Sequence, residues 1–434
     1  MSKRSSRTLS DSLSALGQRT EPPPISWLMS QALKQPDLIS LAAGFTDSKT
    51  LPIAATRRLA DLILRHSETG RQALQYGVGE GNDGLRFHTS EQLARLDGEP
   101  DQASRITPDR IVITNGSQQF LYLLSEVLCD PGDIVIVEDP TYFVYLSIMQ
   151  SHGLEARTAR MTPSGISISD LETTLEQLKK SGDIKRLKFV YCVTYFQNPT
   201  GLTTTLERKQ AVLDLLRRYE SAAGHRLYLV EDAAYRELNF PKYQAPKSSL
   251  SLTDYRDRII YTGTYSKPYA TGIRVGFGIL PDSLYGPIMN VKGNHDFGTA
   301  HFLQVILAAA INSGDYEKQL KRSRKRYAKK CQSMVGSIEE YFPKEVTYSE
   351  PEGGLCLWAT LPKSLTTGPR SRFFKEALQA GVLYVPGEFA YANDPTRSKP
   401  KSTMRLSFGS ASSEKIQKGI IRLSQTIKKR LNKT

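Results

Sequence analysis

From about residue 108 to 280, short apolar runs alternate with longer segments whose apolar residues recur near every 3.6 positions. No other feature constrains the fold as much. The runs are 110–114 (RIVIT), 133–137 (DIVIV), 187–193 (LKFVYCV), 226–230 (RLYLV), 258–263 (RIIYTG) and 274–280 (RVGFGIL), and 204–219 is a representative helical stretch between them. Alternation of this kind predicts an α/β unit, a mostly parallel sheet covered by helices. Residues 315–340 read as one long helix leaving that unit. The last third changes character, with a strand at 354–361, a helix at 371–380, strands near 382–385 and 403–408, and a closing basic helix. That is a second, smaller α+β domain. The division predicted is a flexible basic arm over 1–35, a segment at 36–60 packing with the small domain, a large domain over 61–318 and a small C-terminal domain over 319–434.

The length of 434 residues suits two domains. No apolar run reaches the roughly 20 residues a membrane-spanning helix needs. The N-terminus (MSKRSSRTLSDSLSALGQRT) lacks the apolar stretch of a secretory signal; it reads as a basic, Ser-rich arm, with an organelle transit peptide as the alternative. Cys129, Cys192, Cys331 and Cys356 lie far apart with no C-x-x-C pair, which argues against disulfides or a zinc cluster and for a reducing, cytoplasmic setting. The net charge of +14 could mark a nucleic-acid binder. It sits in three places: 321–330 (KRSRKRYAKK), Lys3, Arg4 and Arg7 at the start, and Lys428, Lys429, Arg430 and Lys433 in the tail. The remainder is balanced. A solvated helix face and two frayed ends account for this better than a nucleic-acid site.

Two motif matches are set aside. Gly79-x-Gly81-x-x-Gly84 matches the dinucleotide fingerprint, but no buried strand precedes it. Asp296-Phe297-Gly298 looks like a kinase triplet without the catalytic loop or the lysine strand that chemistry needs. His295 beside it reads as a lone histidine in a polar turn.

Five segments at the ends of predicted strands carry chemistry. Asn115-Gly116-Ser117-Gln118-Gln119 opens a helix after a parallel strand, where free N–H groups suit a phosphate. Asp139-Pro140-Thr141-Tyr142 puts an aromatic ring at the carboxyl edge of the sheet, for stacking or for packing. Gln197-Asn198-Pro199-Thr200-Gly201 offers an amide, although a Pro-Gly turn would look the same. Glu231-Asp232-Ala233-Ala234-Tyr235 places a carboxylate where it could keep a pyridine nitrogen protonated, with Tyr235 close behind. In Thr264-Tyr265-Ser266-Lys267, followed by Arg274, a lysine amine sits among hydroxyls with a guanidinium able to fork a phosphate.

Taken in order, these segments resemble the fold type I pyridoxal-phosphate-dependent aminotransferases, in the aspartate-aminotransferase-like branch with the aromatic, aminoadipate and kynurenine enzymes. The family's N-P-x-G, D-x-x-Y and S/T-x-S-K motifs, with an arginine soon after, all occur in sequence, and the resemblance covers about residues 35–410. It implies a large domain with a mostly parallel seven-stranded sheet between helices, plus a smaller α+β domain built from the C-terminal third and the N-terminal segment. It implies pyridoxal 5'-phosphate as cofactor and a ping-pong transfer from an amino acid to a 2-oxo acid. Lys267 would form the Schiff base and move the proton. Asp232 would hold the pyridine nitrogen, Asn198 and Tyr235 the phenolic oxygen, and Tyr142 would stack on the ring. Ser117, Gln118, Thr264, Ser266 and Arg274 would hold the phosphate. Arg405, in Met404-Arg405-Leu406-Ser407-Phe408, would clamp the substrate α-carboxylate, and Gly44, in Ala43-Gly44-Phe45, would belong to the loop over the substrate. Tyr76, in Leu74-Gln75-Tyr76-Gly77, would reach the phosphate of the neighbouring subunit, which implies a homodimer.

Pro268 and Tyr269 stand where close relatives carry small or apolar residues, and the family's helix at the front of the site is not identifiable in 1–35. The same cradle would serve a β-lyase, decarboxylase or racemase. An aminotransferase-like DNA-binding regulator is a further alternative, for which 35–40 residues ahead of the match read as too few. A catalytically dead scaffold fits poorly with a complete cofactor set. Tyr142, Phe45 and Tyr265 make an aromatic or apolar substrate plausible, and packing explains them equally well.

Overall fold

A computed structural model describes residues 12–35, 37–42, 44–99 and 106–432. Lys3, Arg4, Arg7, Ala43 and Lys433 lie outside the described residues.

The N-terminal strand β1 (Ile39–Ser40) precedes the large sheet. That sheet comprises β2 (Ile111–Asn115), β3 (Ile134–Asp139), β4 (Glu155–Thr162), β5 (Gly165–Ile166), β6 (Leu187–Val193), β7 (Tyr228–Asp232), β8 (Ile259–Thr264) and β9 (Val275–Ile279). Its order is β2-β9-β8-β7-β6-β3-β4-β5. The pairs from β8 through β7, β6 and β3 to β4 are parallel, and β9 runs antiparallel to both neighbours. Seven long strands are joined by the two-residue β5, which folds back on β4.

The central strands read as unbroken apolar runs because both faces are covered. Val135 and Val137 join one buried cluster while Ile134 and Ile136 join the other; Tyr191 and Cys192 divide in the same way. The strand β4 (EARTARMT) has no such run, and it lies near the sheet's edge with alternating burial. That is why the sequence gives it no apolar signal.

The helix Asp315–Tyr341 is continuous and 27 residues long, so it runs through the expected junction at 318–319. The smaller sheet contains β10 (Thr347–Tyr348), β11 (Cys356–Thr360), β13 (Val385–Pro386) and β14 (Thr403–Ser407), in the antiparallel order β10-β11-β14-β13. Between β11 and β13, β12 (Val382–Leu383) pairs in parallel with β1, tying residues 39–40 to the C-terminal third. The helix Ser413–Leu431 closes the chain against the long helix.

The flexible arm expected over 1–35 is corrected in its described part, 12–35, which forms helices Ala15–Arg19 and Pro24–Lys34. Leu28 is buried, and the Trp27 ring lies 5.5 Å from Phe374 and 6.0 Å from Phe389. Burial of these apolar side chains offsets the entropy of ordering the segment. The basic run is not one solvated face either. Lys330 is buried, Arg324 donates to the Glu237 carbonyl at 2.8 Å, and Arg326 pairs with Asp47.

Candidate active site

The parallel strands end along one edge of the sheet, and the antiparallel β9 starts there. The five segments predicted from sequence converge at that edge. One cavity of about 90 Å³ is lined by Ser117, Gln118, Tyr142, Asn198, Asp232 and Tyr235, and by Thr264, Ser266, Lys267 and Arg274.

One end of the cavity is built for an anion. Ser117 and Gln118 lie in the first turn of the helix Gly116–Leu128, where backbone N–H groups have no helical partner. Gly116 has φ +70°, and a Cβ there would come within 2.5 Å of an Arg274 guanidinium nitrogen. Gly276 on β9 allows the helix start to approach; a Cβ there would stand 2.4 Å from the Ser117 nitrogen. Arg274 Nη1 donates to Ser266 Oγ at 3.3 Å, and the Ser266 N–H donates to Thr264 Oγ1 at 3.1 Å. Helix start, hydroxyls and guanidinium therefore face one volume.

At the other end, β7 splits adjacent acids between its two faces. Glu231 points away from the cavity and pairs with buried Lys209 at 2.8 Å. Asp232 faces the cavity and accepts from Tyr191 Oη at 2.8 Å and from the Ala234 N–H at 3.1 Å. Burial pushes its pKa up to about 6, against the pull of those two donors. Asn198 Nδ2 donates to Tyr235 Oη at 3.3 Å, while its Oδ1 accepts from Arg405 Nη1 at 2.7 Å. Arg405 also donates to the Ala42 carbonyl at 2.7 Å, and its buried Nε has no hydrogen-bond partner among the described residues.

Lys267 Nζ lies between these ends and donates to the Gly44 carbonyl at 2.9 Å. Burial, reinforced by the charges of Arg405 and Arg274, pulls its pKa down to about 8. Burial also pushes the Tyr142 phenol up to about 12, so that hydroxyl stays protonated near neutrality.

Gly44 and Arg405 thus join the site through Lys267 and Asn198. Tyr76 does not reach it within its own chain: it is 81 % exposed, and its ring meets Phe297 edge-on at 5.3 Å. The set-aside motifs have structural roles. Gly81, at φ +103°, packs its backbone against Ile113, and Asp296 pairs with Lys292 at 2.8 Å. His295 meets Gln119 at 3.1 Å without lining the cavity.

Two polar residues behind the cavity were not read from sequence. Tyr191 holds Asp232 while its ring stacks on Tyr145 at 4.1 Å. Glu138 Oε2 accepts from Gln197 Nε2 at 2.9 Å and the Val193 N–H at 3.0 Å, and Gln197 also donates to the Pro140 carbonyl at 2.8 Å. This ties the segment before Tyr142 to the one carrying Asn198. An acid closing an otherwise apolar strand (IVIVED) is the signal that could have pointed to Glu138.

A buried acid for a pyridine nitrogen, an amine of lowered pKa, an anion cradle with no side chain at Gly116, and a guanidinium with an unsatisfied buried nitrogen fit pyridoxal phosphate and an amino-acid substrate. Fold and site together define a pyridoxal-phosphate-dependent enzyme of fold type I. The sequence profile described as aminotransferase class I and II matches residues 36–423, and the chain belongs to that family. It is a transaminase. It is 33% identical over 397 residues to aromatic-amino-acid aminotransferase 1 of Thermococcus litoralis, covering 92% of this chain and 89% of that one. It is 31% identical to the 2-aminoadipate transaminase of Thermus thermophilus, with 91% of each chain covered. The crystal structure of Pyrococcus horikoshii kynurenine aminotransferase superposes with a TM-score of 0.86 at 32% identity, covering 97% of this chain and 98% of that one.

Proposed function

We propose that the enzyme transfers the amino group of an aromatic or aminoadipate-like amino acid to a 2-oxo acid in a ping-pong cycle. The observation that carries this reading is the convergence of Lys267, Asp232 and Arg274 on one cavity, with Arg405 beside it. The bound cofactor supplies a carbonyl that takes up the amino group and a ring that accepts an electron pair. Lys267 Nζ would hold the cofactor covalently before substrate arrives; once an amino acid has taken its place, the freed amine, its pKa lowered by burial, would move the proton at the substrate Cα. Asp232 would keep the ring nitrogen protonated, Asn198 and Tyr235 would hold the phenolic oxygen, and Tyr142 would stack on the ring. Ser117, Gln118, Thr264, Ser266 and Arg274 grip the phosphate. Arg405 takes the α-carboxylate as a fork, with Gly44 on the loop above. Support for the substrate class comes from the relatives, which are named as aromatic-amino-acid and 2-aminoadipate aminotransferases.

In the proposed division, 61–318 is the cofactor-binding part and 319–434, with 36–60, the part that carries Arg405, and the helix Asp315–Tyr341 crosses the junction between them. A homodimer with shared sites is supported by exposed Leu62, Leu64, Leu74, Tyr76, Val78 and Phe297, an apolar set a solitary chain would leave in water. Four buried free cysteines favour the cytoplasm, and among the described residues no helix is long and apolar enough to cross a membrane.

The test is the visible absorption of the cofactor-loaded protein during titration with a panel of amino acids. Aromatic amino acids or aminoadipate should bleach the band, and a 2-oxo acid should restore it. A band that no amino acid in the panel bleaches would sink the reading.

A further inference from the structure

The basic run 321–330 takes no part in the site above, yet it forms one wall of a second cleft. This open cleft, of about 420 Å³, lies between residues 47–49, the long helix and the start of the C-terminal helix. Lys49, Arg326, Lys330 and Lys415 line it, and Asp47 is the one carboxylate among its lining residues. The charge of Asp47 is already shared. Its carboxylate accepts from the Lys49 N–H at 3.0 Å, from Arg326, and from Lys330 Nζ at 2.7 Å. Against the upward push of burial, Arg326 and Lys330 hold this carboxyl below the usual range. Glu414 is a further acid close to Lys49 and Lys329.

Lys330 makes this a built site rather than a loose basic surface. Its side chain is 3% exposed, and its ammonium also donates to the Gly409 carbonyl at 2.8 Å. An ammonium has three protons, so one remains for a third acceptor. Ser40 lines the same cleft with a covered hydroxyl that has no partner among the described residues. Four cations of both kinds, one shared carboxylate and an unsatisfied hydroxyl suit a compact dianion better than a singly charged carboxylate.

We propose that this cleft binds a phosphate group, as inorganic phosphate or a small phosphate monoester, and that occupancy is felt in the active site. The path is short. Asp47 lies three residues after Gly44, whose carbonyl accepts from Lys267. Ala42 in the same segment accepts from Arg405. Lys330 grips both Asp47 and Gly409, which follows the strand β14 carrying Arg405. An anion that accepts from the third proton of Lys330 and draws Arg326 from Asp47 loosens the loop whose Ala42 carbonyl holds Arg405. This coupling rests on Arg405 being the carboxylate clamp, so it acts on KM for the amino acid rather than on kcat.

Calorimetric titration of the cofactor-loaded enzyme with inorganic phosphate, at ionic strength held constant with chloride, tests the site directly. A small phosphate monoester in a parallel titration separates the two sources of the group. Exposed Lys49 and Lys415 lie outside the catalytic cavity, so the double variant Lys49→Glu/Lys415→Glu should fold and keep its visible band. The expected result is saturable binding of one phosphate per chain, weakened roughly tenfold or more in the variant. KM should shift with phosphate in the wild type alone. No saturable binding, or equal binding by the variant, would overturn the site. Binding without a KM shift would overturn the coupling and leave the site standing.

Discussion

At Lys267, burial and two guanidinium groups act in the same direction, and the pKa of about 8 sets the pH at which the amine becomes nucleophilic. Below that value the neutral fraction falls roughly tenfold per pH unit. Uptake of pyridoxal phosphate by the apoenzyme should therefore accelerate as pH rises through about 8 and then level off, measured by stopped-flow absorbance. A pH-independent rate would separate uptake from this amine. Lys267→Ala should nearly abolish turnover, and retained wild-type activity would remove Lys267 from the mechanism. Tyr191 tests the opposite wall. Its hydroxyl lowers the pKa of Asp232, which burial raises, so Tyr191→Phe leaves that acid less ionised. A hydrogen bond to a charged group contributes about 1.5–3 kcal/mol, so cofactor affinity should fall roughly 10- to 100-fold. Fluorescence titration of the apoenzyme gives the dissociation constant, and an unchanged value would make Tyr191 a packing residue only.

Among the elements, Glu138 ties β3 to β6. Burial raises its pKa from 4.5 to about 8, in spite of the donors Gln197 and Val193. The folded protein keeps this proton where the unfolded chain has lost it, so unfolding releases a proton between those two pH values. Stability then declines as pH rises across the window, by at most about 1.4 kcal/mol per unit for this group. Glu138→Gln has the shape of the protonated acid and should flatten that part of the Tm–pH profile. Parallel profiles for the two proteins would place the proton elsewhere. The same elements explain what sequence could reveal. Lys267, Asp232, Asn198 and Ser117 each sit at or shortly after the end of an apolar strand, so motif and strand signal reinforce one another. Tyr191 and Glu138 acquire meaning only through register: Val193 faces Asp232 across β6 and β7, which puts Tyr191 on the same side. The strand β4 stayed hidden because it lies near the sheet's edge and carries no apolar run. The helix Pro24–Lys34 stayed hidden because the partners of Trp27, Phe374 and Phe389, come from the distant C-terminal third.

For the whole molecule, the unanswered residue is Tyr76. Its side chain lies open beside exposed Leu74, Val78 and Phe297 and lines no part of its own chain's cavity. An exposed apolar patch of this kind is where a second chain would pack in the proposed homodimer. In a two-fold dimer the same patch meets itself, so each chain can lend a residue to the other's site. Subunit mixing separates this arrangement from a role within one chain. A Lys267→Ala chain lacks the amine but keeps Tyr76; a Tyr76→Ala chain keeps the amine but lacks the tyrosine. Each homodimer should be impaired. If Tyr76 acts across the interface, a mixed dimer holds one site with both groups intact, and random re-association should restore about a quarter of wild-type activity. If Tyr76 acts within its own chain, no site in the mixture carries both, and activity should stay at the average of the two parents. Sedimentation velocity on the same samples checks the premise, because a monomer that remains fully active would remove the shared site altogether.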